Sequence, residues 1–140
     1  MDTYIHLDKS QLINLEYTLF RELLRSNRAG AYSSSTIVGC NTRKYHGLLV
    51  APLKEFDYKS FVLLSSLDIS VVQHEKVCNL GIHKYDGNHY EPKGHKYIRD
   101  FTMDLIPRLV YRVGGVVLSV ERVLVESENQ ILVKITLEDA

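Results

Sequence analysis

Residues 22 to 51 hold the densest run of chemically capable side chains in this 140-residue chain. The string Asn41-Thr42-Arg43-Lys44-Tyr45-His46-Gly47 sets an amide, two cations, an aromatic face and an imidazole side by side. Arg43 and Lys44 bring donors, and His46 brings a ring that donates or accepts. Ahead of them, Ala29, Gly30, Ala31, Ser33 to Ser35 and Gly39 permit tight turns and close backbone approach. Sugars are neutral and rich in hydroxyls, so their recognition uses forked donors, amides and aromatic faces, all present here. Asn41, Arg43, Tyr45 and His46 are therefore candidates for substrate binding or for a domain interface. A second reading stays open, in which Arg43 pairs with a core carboxylate and Tyr45 packs.

Other chemistries are weaker. His83, His89 and His95 recur every six residues, looser than the ligand spacings that zinc favours, so no metal site or cofactor is expected. Cys40 lies near Asn41 and His46 without a nucleophile signature around it, and reads as a small packed cysteine. Arg25, Arg28, Arg43 and Lys44, interleaved with Tyr32 and Tyr45, form a remote case for nucleic acid. No single-strand platform motif accompanies them.

Positioning these residues requires strands. Leu109, Tyr111 and Val113 alternate with Val110 and Arg112, Gly114-Gly115 supplies a two-residue turn, and Val116, Leu118 and Val120 return. Val123 and Val125 continue a β-like run. Glu126 to Asn129 is turn-like, and a strand follows from Gln130 to Glu138. Tyr45 to Ala51 predicts a buried strand stopped by Pro52. Phe61 to Leu64 and Ile69 to Val72 bracket Ser65-Ser66, and Cys78, Leu80 and Ile82 alternate with Asn79 and Gly81. Lys84 to Asp100, with Gly87, Asn88, Pro92 and Gly94, reads as a long loop. Leu12, Leu15, Leu19 and Leu23 fit a helix face, which keeps a short helix or turn open for 10 to 18, with a strand over 19 to 26. Antiparallel strands at this spacing predict an all-β sandwich.

Seventeen basic residues balance seventeen acidic ones, so no net field draws the chain to nucleic acid or anionic lipid. No apolar run is long enough to span a bilayer, and Asp2, His6 and Asp8 at the N-terminus do not read as a signal peptide. Two cysteines make no disulfide framework, so a reduced, cytoplasmic setting is the simplest reading, a secreted protein without its signal being the alternative. The chain stops directly after a strand and reads as part of something longer, expected as one N-terminal domain or fragment over 1-140. The 130 to 138 strand would then present an open edge through which copies of the fragment self-associate.

The order Asn27, Gly30, Tyr32, Ser34, Thr36, Gly39, Asn41, then Arg43-Lys44-Tyr45-His46-Gly47-Leu48-Leu49-Val50-Ala51, resembles the N-terminal domain of bacterial and archaeal glycogen debranching enzymes. Tyr90-Glu91-Pro92-Lys93-Gly94, Phe101, Pro107 and the Tyr111 to Gly115 hairpin extend the likeness over most of the chain. It departs at Leu23, usually Trp, and at Arg28 and Ala31, usually Gly. The resemblance implies a β-sandwich of the supersandwich (galactose mutarotase-like) type, possibly truncated. It implies packing against a catalytic α/α toroid of the same parent chain, which hydrolyses α-1,6-glucosidic branch points of glycogen or maltooligosaccharide-like α-glucan. Such hydrolysis needs two carboxyls flanking the bond. Glu22, Asp57, Asp68, Glu75, Asp86, Glu91, Asp100 and Asp104 are scattered singly and read as surface groups, so no catalytic residue is expected in this chain. A free-standing carbohydrate-binding or assembly module is the competing reading.

Overall fold

A computed structural model describes residues 5–140; Asp2, counted above in the polar N-terminus, lies outside them. Strand makes up 53% and helix 11%, and no sheet closes into a barrel, so the all-β expectation holds. In chain order the elements are β1 (Ile5–Asp8), α1 (Lys9–Leu12), α2 (Leu15–Thr18), β2 (Glu22–Ser26), β3 (Tyr32–Thr36), β4 (Gly47–Leu53) and β5 (Lys59–Leu64). Then come β6 (Ser70–Gln73), β7 (Lys76–Asn79), β8 (His83–Tyr85), β9 (His89–Glu91), β10 (Ile98–Met103), β11 (Pro107–Val113), β12 (Val116–Leu124) and β13 (Ile131–Asp139). One sheet runs β1-β10-β11-β12-β13 and a second β2-β3-β4-β5, while β6-β7 and β8-β9 are separate hairpins. Every pairing is antiparallel.

Alternation decides which face is buried. Leu109, Tyr111 and Val113 on β11 and Leu118 and Val120 on β12 turn into the main core with Phe101 and Ile98 of β10. Ile37, Val38, Cys40 and Leu12 join them from the other side. A smaller cluster of Ala31, Leu49 and Ala51 packs on Leu124 and Ile131, which ties β4 to the turn between β12 and β13. Gly114 takes the positive φ of 59° that the two-residue β11-β12 turn requires.

One amide staples the sheets together. The Asn27 side-chain oxygen accepts from the backbone N–H groups of Ala29 (3.1 Å) and Ala31 (2.9 Å), shaping the β2-β3 turn. Its amide nitrogen donates across the gap to the carbonyls of Val125 and Glu128, both at 2.8 Å. Arg28 reinforces this crossing through its backbone bond to Glu126 and an exposed ion pair with the same residue.

The short-helix expectation for 10 to 18 is met by α1 and α2. Asp8 and Gln11 form a reciprocal capping box at α1, and Leu12 is fully buried. The strand expected over 19 to 26 begins later, at Glu22. The alternation from Cys78 to Ile82 is strand only as far as Asn79, where β7 ends. Two further expectations fail. Pro52 does not stop its strand: β4 continues to Leu53, because β3 pairs only as far as Tyr32 opposite Val50 and no neighbour there asks Pro52 for an N–H. The stretch from Lys84 to Asp100 is not a long loop. It holds a hairpin turning at Gly87 and Asn88, both at positive φ, then a 3-10 turn over Gly94–Tyr97 and the start of β10. Gly94 sits so close to Leu80 that an added Cβ would lie 2.1 Å from the Leu80 carbonyl.

His95, beside Gly94, is 5% exposed, and its Nδ1 has no hydrogen-bond partner among the described residues. Burial, helped by Lys96 and Lys93, pushes its pKa below the ordinary 6.5. Unfolding therefore frees an imidazole that binds protons more readily. The contribution of neutral His95 is complete above about pH 6.5 and is lost as pH falls towards the lowered folded value. Chemical denaturation should show stability dropping more steeply below about pH 6.5 in the wild type than in His95→Phe; equal slopes would refute the assignment.

Candidate functional site

β2 begins with Glu22, which pairs with Thr36 at the end of β3. The loop leaving β3 turns back into β4 at Gly47, so residues 41 to 46 fold over the Glu22 carboxylate. Glu22 Oε1 accepts from Arg43 Nε at 2.5 Å and from His46 Nε2 at 3.1 Å. The His46 side chain is fully buried. Its Nδ1 accepts from the backbone N–H groups of Thr42 (2.9 Å) and Arg43 (3.2 Å). A nitrogen accepting two N–H bonds carries no proton, so the ring proton sits on Nε2 and is donated to Glu22. One carboxylate thus fixes a tautomer, and the tautomer fixes the loop. Gly47 is required beside it, since a Cβ there would meet Val50 Cγ2 at 2.9 Å and Val62 Cγ1 at 3.2 Å.

The four sequence candidates separate into two kinds. His46 is structural in this sense, and so is Asn41. The Asn41 oxygen accepts from Ser35 Oγ at 2.8 Å, and its nitrogen donates to the Ser65 carbonyl at 2.9 Å. Arg43 and Tyr45 stay half exposed. The hydrogen bond and charge of Glu22 hold the Arg43 guanidinium above its usual range. Tyr45 meets the His46 ring edge-on, with centroids 5.4 Å apart, and the Tyr32 hydroxyl donates to its carbonyl. The pairing of Arg43 with a carboxylate is therefore real, and that carboxylate is Glu22, a residue read from sequence as a lone surface acid.

Beside Arg43 lies an open groove of about 350 Å³, lined by Leu15, Glu16, Leu19, Phe20, Thr42, Arg43, Lys84 and Tyr90. That volume falls within the roughly 300–1,000 Å³ typical of small-molecule sites. Phe20 is 80% exposed, which leaves its ring accessible at the groove's edge. Phe20, Tyr90 and Lys84 are not among the candidates that the sequence offers for a site, although Tyr90 carries part of the family likeness. The exposed Phe20 could have been suspected, but nothing local links residue 20 to residue 90.

The remaining candidates go to ordinary positions. Burial pushes the Cys40 thiol up to about 11, so it holds almost no thiolate at neutral pH and is no nucleophile. His83 pairs with Asp68 at 2.7 Å and His89 with Glu91 at 3.8 Å, while His95 is buried apart from them. Among the described residues no group of three or more His, Cys, Asp or Glu could hold a metal ion. Arg25 donates to the Leu105 carbonyl, Arg28 pairs with Glu126 and Arg43 with Glu22, which breaks up the basic patch. No helix among the described residues is long and apolar enough to cross a membrane.

A family model described as the glycogen debranching enzyme N terminal matches residues 21–140. The chain belongs to this family. No curated protein and no solved structure matches it. Within this debranching-enzyme N-terminal domain the matched stretch opens on Arg21 and so takes in Glu22, Arg43 and His46 together. Leu15 to Phe20, one wall of the groove, lie just before it.

The hub makes an asymmetric prediction. Glu22→Ala leaves the buried His46 N–H unpaired and should cost about 2 kcal/mol in denaturant unfolding. Arg43→Ala, at a half-exposed position, should cost clearly less. Equal losses would mean that the His46 arm contributes nothing.

Proposed function

We propose that this chain is the N-terminal, non-catalytic domain of a cytoplasmic debranching enzyme. It supports hydrolysis of α-1,6-glucosidic branch points in glycogen-like α-glucan by packing against the α/α toroid catalytic domain of its parent chain. It also contacts glucan in the groove beside Arg43. The family match supports the first part. The observation that carries the second is the groove itself, with the Phe20 and Tyr90 rings and the Arg43 and Lys84 cations on one concave surface.

The division of labour follows from the geometry. Arg43 Nε is taken by Glu22, which orients the guanidinium and leaves its remaining N–H groups for hydroxyls. The two rings offer flat apolar faces to the C–H side of a glucosyl unit. Asn41 and His46 hold the loop in shape, and Tyr45 stands at its exposed rim, where either sugar or the catalytic domain can reach it.

Affinity electrophoresis in glycogen tests the contact. The chain should be retarded, and Phe20→Ala and Tyr90→Ala should each weaken binding about five-fold, as expected for loss of roughly 1 kcal/mol of ring contact. Arg43→Ala in the parent enzyme should lower glucan affinity or activity with expression intact. Unretarded migration would remove the glucan role, and unchanged affinity, activity and expression in that Arg43 variant would remove Arg43 from it.

A further inference from the structure

The two main sheets leave a small cavity between them, about 50 Å³ in volume, far from the groove in lining and chemistry. Its polar lining consists of Arg25, Arg122, Ser33, Ser35 and Thr36, and it contains no aspartate or glutamate. The rest is apolar.

Arg122 is the anomaly. It projects from β12 at the register position opposite Val133 of β13, in an otherwise hydrophobic row with Val120 and Leu124. Its guanidinium lies against the turn at Gly39, where an added Cβ would come within 3.8 Å of Nη2. Three other arginines find acids: Arg43 has Glu22, Arg28 has Glu126, and Arg108 has Glu121 and Glu138. Arg21, Arg25, Arg99 and Arg112 have no acid among the described residues either, but all four are exposed, whereas Arg122 is largely withdrawn from water. Among the described residues no carboxylate lies within ion-pair distance of Arg122 or Arg25. The electrostatic neighbour that Arg122 does have is the Tyr111 phenol, which burial keeps protonated and which therefore brings no balancing charge. Burial lowers the pKa of Arg122, as it does for any cation withdrawn from water without a counter-charge. Such a group normally has a partner, because an unpaired charge in a partly dry site is costly.

We propose that this inter-sheet cavity is a receptor for one small oxyanion of the phosphate class. Arg122 supplies the fork, Arg25 a second positive charge, and the Ser33 hydroxyl a neutral donor, the Ser35 proton being already given to Asn41. A guanidinium matches two oxygens of such an anion at once. Size narrows the class: the volume has room for about four waters, enough for a phosphate but far too little for a glucosyl unit of roughly eleven heavy atoms. The site is therefore separate from glucan contact and does not rest on it. Bound between β12 and the β2-β3 hairpin, the anion neutralises Arg122 and joins the two sheets.

The probe is inorganic phosphate, titrated into the 140-residue chain with sodium chloride at matched ionic strength as reference, and read by thermal unfolding and by calorimetry. Phosphate should raise Tm saturably where chloride does not. Arg122→Met, which exchanges the cation for an apolar chain of similar length, should fold and bind phosphate at least ten-fold more weakly. Arg25→Gln, which leaves Arg122 in place, should weaken it several-fold and decides the matter if the Met variant does not fold. Absence of a saturable response in the wild type, or an undiminished response in both variants, would overturn the proposal.

Discussion

The Glu22 carboxylate is the fixed point around which the rest of the site is arranged. It stands at the first residue of a strand and is held there by the β2-β3 ladder. Two donors converge on one of its oxygens, one from an exposed guanidinium and one from a buried imidazole. The imidazole in turn satisfies two backbone N–H groups of a loop with no ladder of its own. Irregular backbone is stable near a core only when its polar groups find partners, and here a side chain supplies them. The chain of dependence runs from strand to carboxylate, to ring, to loop, and ends at Arg43 and Tyr45 on the surface.

This dependence explains why the string from Asn41 to Gly47 is so particular. Asn41 bridges Ser35 and Ser65, His46 fills a buried position and sets a tautomer, and Gly47 leaves the space that Val50 and Val62 need. Three of its residues are thus consumed by shape. Asn41 and His46 spend their hydrogen bonds on the loop itself, which leaves Arg43 and Tyr45 as its exposed side chains. The same economy appears at Asn27, whose one amide both shapes a turn and crosses to the other sheet. Against that pattern of satisfied polar groups, the uncompensated Arg122 stands out.

Much of the fold was legible in the sequence because its signals are local. The alternation of Leu109 to Val113, the Gly114-Gly115 turn and the alternation after it specify a hairpin within a dozen residues, and the hairpin is there. Lys84 to Asp100 was misread because strands of three residues are too short for a period of two to show, and Gly87, Asn88 and Pro92 resemble loop residues. Pro52 was misjudged because its tolerance depends on where the neighbouring strand ends, which only the register reveals. The site was half legible. Arg43 and His46 could be picked out by type, yet their partner lies 21 and 24 positions away and looked like any other acid. The groove was not legible at all, since residues 15 to 20, 42 to 43, 84 and 90 meet only once α2, the loop after β3 and the β8-β9 hairpin have packed together.

The most direct test is nitrogen NMR of the His46 imidazole at neutral pH in the folded chain. A proton on Nε2, coupled to an unprotonated Nδ1 that accepts the Thr42 and Arg43 amides, is the result required by a loop hung on Glu22. A proton on Nδ1 would contradict it, because the two backbone N–H groups would then face a donor and the carboxylate would no longer hold the loop.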